Sequence, residues 1–523
     1  MAVLVVSLIV GLVVVSVVSL VVISVVCLVI VPVISLIVVS VVCLVLILVH
    51  ISTSFVNSIL HEKKGTIHSM ENFFDEIHGI LKDEFSDFLM CCDMPPYRGL
   101  RLNKLKCSFE ALRDNIGFPL KPTPFCSDGF YIPEGIGSLG NHPLHCAGAF
   151  YIQEPSAMSA VSLLSVQKGD FVLDLCAAPG GKSTQIAAQL DSTGLVWSNE
   201  IIAGRANILL SNIERMGVKN AVVSSCHPQV LCERLPGFFD KILVDAPCSG
   251  EGMFRKDETI IPEWTKENVR ACANRQLQIL ESAKLALKSG GVIVYSTCTF
   301  SEEENEGVIQ KFLSLNPDFE LEDGGGDFGR PTMTYAKRIF PMDGGEGHFA
   351  ARLRHKGGSV PNGSELKTQF KPAPDMALKM YKEIFPTEPF GNMIAEINGK
   401  ILALPNGLPD ISRLGVLRAG VLLGEMCKNR VEPAHSAFMA AKPSDCANVI
   451  ELDCGREEIL KFLHGEEIEA GSDLKGYCAV SVCSVNTGFG KASGGRLKNK
   501  YPKGLRTANV QRGFKEGING KFG

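Results

Sequence analysis

Apolar and polar positions along most of the chain show two patterns, one typical of strands and one typical of helices. The alternation of these patterns predicts an α/β fold. Beyond Gly169, short apolar runs alternate with longer stretches in which apolar residues recur at helical spacing. Repetition of this order is typical of βαβ units wound around a parallel sheet. The predicted strands span residues 171–175, 194–198, 221–225, 240–244 and 292–296, and the clearest predicted helices span 182–190, 203–216 and 266–287.

The regions on either side of this alternating stretch have a different pattern of apolar and polar residues. From Glu71 the apolar residues show a helical period, and a polar loop rich in Pro and Arg follows near residue 95. Glycine-rich stretches at 324–326 and 357–363 predict linkers, after which a smaller mixed region begins near Phe370. A chain of 523 residues is too long for one core, so we expect about three folded units.

Residues 1–49 form an apolar leader without a single charged side chain. A membrane helix needs about 20 apolar residues, so the leader is long enough for two spans bent at Pro32. Its near-repetitive Val and Ser texture equally fits a start of translation further downstream, for example at Met70. The first interpretation predicts membrane association through residues 1–49, and the second predicts a cytoplasmic protein. The sequence is compatible with both interpretations.

The overall charge says little about the class of protein, but one segment and the spacing of the cysteines are informative. The net charge is −4, yet residues 486–523 carry nine Lys or Arg against one acid. Such a block favours contacts with phosphates, although it also fits a solvated tail. The 18 cysteines are scattered, with no C-x-x-C pair and no zinc-like spacing. We therefore expect a reduced compartment, no metal site and mostly structural thiols.

A glycine turn after the first predicted strand has the features of a nucleoside-binding site. Glycines between a strand and a helix let the backbone approach a ligand, and the start of the helix offers free N–H donors. Glu200, after the second strand, is placed to accept hydrogen bonds from ribose hydroxyls. The predicted cofactor-binding residues are Cys176, Ala177, Ala178, Pro179, Gly180, Gly181, Lys182, Glu200 and Asp245.

Two other interpretations explain less of this turn. Residues 181–183 match the end of the phosphate-binding pattern G-x-x-x-x-G-K-[ST], but Cys176 stands where its first glycine is required. A plain glycine turn accounts for the glycines but not for the strand, turn, helix and acid in that order. A nucleoside cofactor remains the prediction.

Two cysteines follow two further strands of the predicted sheet. Asp245-Ala246-Pro247-Cys248 comes after the fourth strand, and Ser296-Thr297-Cys298 comes after the fifth. In an open parallel sheet the ligand lies at the carboxyl ends of the strands. Both thiols, together with Asp245, are therefore expected to face the cofactor crevice.

These motifs resemble those of the Nop/Sun family of RNA 5-methylcytosine methyltransferases. The resemblance rests on residues 176–182, 245–250 and 296–299 and covers about 71–523. Finer segments resemble the bacterial RsmF-type branch, which acts on 16S ribosomal RNA; they lie at 95–103, 149–156, 344–349 and 497–506. One departure concerns the region after the third strand. Many members have a cofactor-contacting acid there, whereas this chain has Ser225-Cys226-His227, and His227 either contacts the cofactor or sits in a loop.

The resemblance implies a domain organisation. It predicts an α/β protein with a Rossmann-like class I S-adenosylmethionine-dependent methyltransferase sheet, an N-terminal α+β RNA-binding subdomain and a C-terminal PUA-like module. The predicted boundaries are 71–165 for the N-terminal subdomain, 166–355 for the catalytic domain, 370–430 for a connecting domain and 431–523 for the PUA-like module with its basic tail.

It also implies a mechanism that explains the need for two thiols. Carbon 5 of cytosine is a poor nucleophile, so a thiolate first adds to carbon 6. The resemblance makes Cys298 this nucleophile and Cys248 the group that helps release the product, with Asp245 contacting the cytosine edge or the cofactor. The expected partner is RNA of the small ribosomal subunit, and the expected state is a monomer. A methyltransferase for transfer RNA or large-subunit RNA, or a catalytically idle ribosome-assembly factor, remains an alternative.

Overall fold

The computed structural model describes residues 72–358, 370–391 and 393–507. The predicted leader and the last three basic residues of the predicted tail, Arg512, Lys515 and Lys521, lie outside the described residues. A compact unit begins at Glu76 and contains every strand in the described part of the chain. Within these described ranges, no helix combines the length and apolar character needed to cross a membrane.

A four-stranded antiparallel sheet forms the N-terminal part of this unit, in the order β2-β3-β1-β4. Gly148 lies where this part closely approaches the backbone of Arg215. Its φ is +75°, and a Cβ atom there would stand 2.0 Å from the carbonyl oxygen of Arg215, so only glycine fits. The strands are β1 (Gly99–Leu102), β2 (Lys121–Thr123), β3 (Cys126–Tyr131) and β4 (Phe150–Ile152), and the helices are Phe85–Cys92, Phe109–Asn115 and Pro143–Cys146.

The central sheet confirms the predicted α/β architecture. It has ten strands, of which five run parallel in the order β9-β8-β5-β6-β7. The strands introduced here are β5 (Phe171–Asp174), β6 (Leu195–Asn199), β7 (Ala221–Ser224), β8 (Phe239–Asp245), β9 (Leu287–Thr297), β10 (Phe319–Leu321), β11 (Arg330–Thr332), β12 (Ala336–Ile339) and β13 (His348–His355). The helices are Ser159–Leu164, Gly181–Leu190, Ala203–Arg215, Pro228–Arg234, Lys266–Ala286 and Glu306–Leu315.

The apolar runs form strands because helices cover both faces of the parallel sheet. Val172 and Leu173 are successive residues of β5 that point to opposite faces, and each is fully buried in a separate core cluster. β9 begins at Leu287 instead of the predicted residue 292. Leu287 pairs with Phe239 across an irregularity in the ladder, which extends the strand through two glycines.

The C-terminal half contains two more sheets. The first follows residue 370 and comprises β14 (Lys371–Pro372), β15 (Ile394–Ile397), β16 (Lys400–Ala403), β18 (Val421–Cys427) and β19 (Arg430–Pro433), with the helices Asp375–Ile384 and His435–Ala440. β17 (Val416–Ala419) lies between β16 and β18 in the chain but pairs with β7, at the edge of the central sheet. The last sheet comprises β20 (Val449–Leu452), β21 (Ile468–Glu469), β22 (Gly476–Val482), β23 (Val485–Ser493) and β24 (Arg496–Asn499), with the helix Glu457–His464.

Much of the predicted basic tail is folded. Residues 485–499 form β23 and β24, and Leu497 and Tyr501 are buried in a core that also contains Leu100 and Leu112 of the N-terminal part. The interpretation as a solvated tail is therefore wrong for this stretch. Buried apolar residues alternate here with exposed basic residues, as expected for a strand with one solvent-exposed face. A count of charges does not detect this alternation.

Candidate active site

The glycine turn lies between β5 and the helix Gly181–Leu190, as the sequence predicts. Gly180 has φ +112°, and it precedes the helix without any side chain capping the first N–H groups. A left-handed conformation of this kind favours glycine because other residues carry a Cβ atom. The amide of Ala177 donates to the carbonyl oxygen of Asn199 at 2.8 Å, which holds the turn against the end of β6.

The acids around this turn fit a nucleoside ligand. Glu200 is 3% exposed and directly follows β6. Asp174 ends β5 and is fully buried, and its Oδ1 has no hydrogen-bond partner among the described residues. Burial raises the pKa of Asp174 to about 7, and the nearby Asp245 and Glu200 add to this effect. An unpartnered buried carboxyl oxygen and an uncapped helix start indicate a ligand that brings both donors and acceptors of its own.

Lys182 and Asp245 join the cofactor turn to the end of β8. Lys182 Nζ donates to Asp245 Oδ2 at 2.8 Å, and Ser296 Oγ donates to Asp245 Oδ1 at 2.8 Å. Burial opposes both charges, but each charge stabilises the other. The pair lowers the pKa of Asp245 and raises the pKa of Lys182. Both groups are therefore held in their charged forms.

The two cysteines meet at the ends of neighbouring parallel strands. Asp245 pairs with Ser296 in the ladder between β8 and β9, so the residues that follow each strand emerge side by side. The sulfur atoms of Cys248 and Cys298 lie 3.3 Å apart. A hydrogen bond with Cys298, followed by burial, raises the pKa of Cys248 well above its usual value. Either sulfur atom can donate to the other across this contact.

His227, left undecided by the sequence, caps a helix. It precedes Pro228–Arg234, and its Nδ1 accepts a hydrogen bond from the amide of Gln229 at 3.3 Å. This is a local structural role that requires no ligand. In the described part of the chain, no group of three or more His, Cys, Asp or Glu side chains is arranged to hold a metal ion.

Several polar residues behind the cysteines were not singled out from the sequence. Ser296 orients Asp245, and the consecutive pair Glu304 and Asn305 contacts both cysteine turns. The sequence shows Glu304 and Asn305 only as an acid and an amide just before the amphipathic helix Glu306–Leu315. Such residues are common at the start of a helix, so they do not by themselves indicate a site.

Four family models match the chain in the predicted order. Residues 161–354 match the 16S rRNA methyltransferase RsmB/F model. The flanking matches are the N-terminal domain of 16S rRNA methyltransferase RsmF at 70–155, the RsmF rRNA methyltransferase first C-terminal domain at 381–440 and the methyltransferase RsmF PUA domain at 447–507.

Relatives and a solved structure agree with these matches. The ribosomal RNA small subunit methyltransferase F of Vibrio parahaemolyticus is 34% identical over 469 residues, covering 84% of this chain and 98% of the relative. That of Aeromonas salmonicida is 35% identical over 467 residues, with 83% and 96% covered. The crystal structure of PH0851 superposes with a TM-score of 0.50 at 26% identity, covering 54% of this chain and 65% of that one. The resemblance to the RsmF-type branch is confirmed, and the chain belongs to the 16S rRNA methyltransferase RsmB/F family.

Proposed function

We propose that this enzyme uses S-adenosylmethionine to methylate carbon 5 of a cytosine in 16S ribosomal RNA. The observation that carries the proposal is the pair of thiols 3.3 Å apart, at the edge of the sheet where the cofactor turn also lies. Mapping of 5-methylcytosine by bisulfite sequencing, in cells with and without the protein, tests it. Loss of a single small-subunit site supports the proposal, and loss of sites only in transfer RNA or large-subunit RNA contradicts the substrate.

The cofactor site follows from the residues around the glycine turn. S-adenosylmethionine, when bound, supplies an electrophilic methyl group on a sulfonium. The segment from Cys176 to Lys182 is proposed to hold it, with Glu200 accepting from the ribose hydroxyls. Asp174 Oδ1, which has no hydrogen-bond partner among the described residues, is placed to accept a hydrogen bond from the cofactor.

Replacement of Glu200 by Gln should weaken cofactor binding about tenfold to a hundredfold. The amide keeps the volume of the side chain but loses a charged acceptor, and hydrogen bonds to charged groups contribute about 1.5–3 kcal/mol. Calorimetric titration with S-adenosylmethionine measures the change. Glu214→Gln, on the helix that follows, is the matched control and should bind normally. Equal affinities for the Glu200 variant and the wild-type protein would remove Glu200 from the site.

The reaction at cytosine is proposed to begin with the Cys298 sulfur. Its thiolate adds to carbon 6, which makes carbon 5 nucleophilic enough to accept the methyl group. The charged Lys182–Asp245 pair lies beside this position and is suited to hold the polar edge of the base. The hydrogen on carbon 5 then leaves as a proton, and the bond between carbon 6 and sulfur breaks to restore the ring.

Cys248 is proposed to assist this last step. Its pKa is raised first by the hydrogen bond with Cys298. Once the Cys298 sulfur is bonded to carbon 6, it no longer makes the hydrogen bond that raises the pKa of Cys248. The Cys248 thiol then ionises more readily, and its thiolate becomes a base next to carbon 5.

The C-terminal sheet offers a surface for RNA phosphates. Lys491 of β23 pairs directly with Lys498 of β24, and both side chains are exposed. Like charges directly opposite each other destabilise a ladder, so this arrangement favours a polyanionic partner. By contrast, Arg101 of the N-terminal part is buried and donates to Thr184 Oγ1, and the half-buried Lys106 donates to the carbonyl oxygen of Asn486.

Replacement of Lys491 and Lys498 by Ala should weaken RNA binding at moderate salt and flatten its salt dependence. Each lost phosphate contact reduces the slope of log K against log salt by about 0.7 to 0.9. Filter binding over a range of KCl concentrations measures the slope, and cofactor affinity should not change. Lys311→Ala serves as the control, because it removes an exposed charge from the helix Glu306–Leu315. An unchanged slope for the double variant would place the RNA surface elsewhere.

We also propose the domain assignment 71–165, 166–355, 370–430 and 431–523, for a monomer that acts in the cytoplasm. The family models that match 70–155, 161–354, 381–440 and 447–507 support it. β17 lies inside the connecting domain but pairs with the central sheet, which ties that domain to the catalytic one.

A further inference from the structure

Glu304 holds the turn that carries Cys248. Its fully buried Oε2 accepts from the amide of Ser249 at 3.1 Å and from Nε2 of Gln276 at 2.7 Å. Gln276 Nε2 also donates to the carbonyl oxygen of Pro247 at 3.0 Å. The residues on both sides of Cys248 are therefore fixed, one directly and one through Gln276.

The orientation of the Gln276 amide follows from the two acceptors on one side of it. Its NH₂ group faces Glu304 Oε2 and the carbonyl oxygen of Pro247, so Oε1 faces the hydroxyl of Tyr295 at 2.9 Å. That hydroxyl also lies 2.6 Å from the carbonyl oxygen of Glu304 and can donate its single proton to either oxygen.

Asn305, the next residue, holds the turn that carries Cys298. Its Nδ2 donates to the carbonyl oxygen of Thr299 at 3.0 Å, and its Oδ1 accepts from Thr297 Oγ1 at 2.6 Å. Asn305 stands at the N-cap of the helix Glu306–Leu315, where an Asn side chain usually caps the first turn, yet it makes no such bond. Its side chain serves the cysteine turn instead of its own helix.

We propose that Glu304 and Asn305 are positioning residues that set the two thiols independently, Glu304 for Cys248 and Asn305 for Cys298. These two consecutive residues at the start of one helix reach two different turns, so each thiol has an anchor of its own. This inference rests on the proposed roles of the two cysteines. Loss of either anchor should therefore reproduce, in weaker form, the failure of the cysteine that it holds.

Glu304→Ala should allow attack and methyl transfer but slow the release of the product. Incubated with S-adenosylmethionine and small-subunit ribosomal RNA from cells that lack the protein, the variant should accumulate a protein–RNA adduct at least tenfold above wild type on a denaturing gel. Asn305→Ala should slow adduct formation about tenfold to a hundredfold, since a misplacement of about 1 Å costs up to that much. No trapped adduct should appear with it.

Conservative and neighbouring variants separate positioning from general damage. In Glu304→Gln the amide oxygen can take the place of Oε2 and accept both hydrogen bonds, so turnover should return to within about threefold of wild type. Glu303→Ala removes a nearby exposed acid and should behave as wild type. Thermal unfolding and cofactor affinity identify any variant that fails to fold.

The outcomes distinguish this inference from the proposed function. If Cys248→Ala traps an adduct but Glu304→Ala does not, or if Glu304→Gln is as defective as Glu304→Ala, the positioning role is wrong while the cysteine roles stand. If Glu304→Ala and Asn305→Ala fail in the same way, independent positioning is wrong. If Cys248→Ala traps nothing, the proposed roles of the cysteines themselves are contradicted.

Discussion

Replacing Cys298 by Ala should abolish both methylation and adduct formation, whereas replacing Cys248 by Ala should trap a covalent protein–RNA adduct. The proposed mechanism gives the two thiols opposite failures, because one forms the bond to carbon 6 and the other helps to break it. Their sulfur atoms are only 3.3 Å apart, but each follows the end of a different strand. Denaturing gel electrophoresis and 5-methylcytosine analysis of the RNA measure the two products.

Controls with other buried thiols make this result specific. Cys272→Ala removes a thiol from the helix Lys266–Ala286 on the same side of the sheet and should leave methylation near normal. An adduct trapped by Cys298→Ala instead would reverse the two assignments. Normal methylation by both active-site variants would rule out covalent catalysis by cysteine.

Replacing Asp245 by Ala should destabilise the protein and reduce methylation by at least a hundredfold. It leaves the Lys182 ammonium, whose side chain is 12% exposed, without its partner at 2.8 Å. Removing one partner of a buried pair costs about 3–5 kcal/mol, and because Asp245 remains 30% exposed we expect about 3 kcal/mol. Urea unfolding without cofactor measures the loss.

The double variant Lys182→Met, Asp245→Ala tests the origin of that loss. With no charge left to desolvate, it should regain most of the free energy of unfolding but none of the methylation activity. Recovery of stability without activity separates the electrostatic role of the pair from its role at the base. A coupling energy below about 0.5 kcal/mol, the level at which independent sites add, would show that the two charges do not interact.

The sequence alone determined the elements of the catalytic domain and the residues at its strand ends. Apolar runs such as β5 must be buried on both faces, and the helical stretches between them can cover those faces in only a few ways. A ligand site at the carboxyl ends of parallel strands follows from that topology, which is why Cys248, Cys298 and Glu200 could be chosen without coordinates.

Contacts between distant segments depended on the tertiary structure. The folded state of Lys491 and Lys498 could not be inferred from charge counts, because burial of Leu497 against the N-terminal part is what orders those strands. The Lys182–Asp245 pair joins residues 63 positions apart, and the Glu304–Ser249 bond joins residues 55 apart. A local sequence pattern reflects only residues that are neighbours along the chain. The hydrogen-bond donors to a buried carboxylate come from distant segments that are brought together by packing of the core.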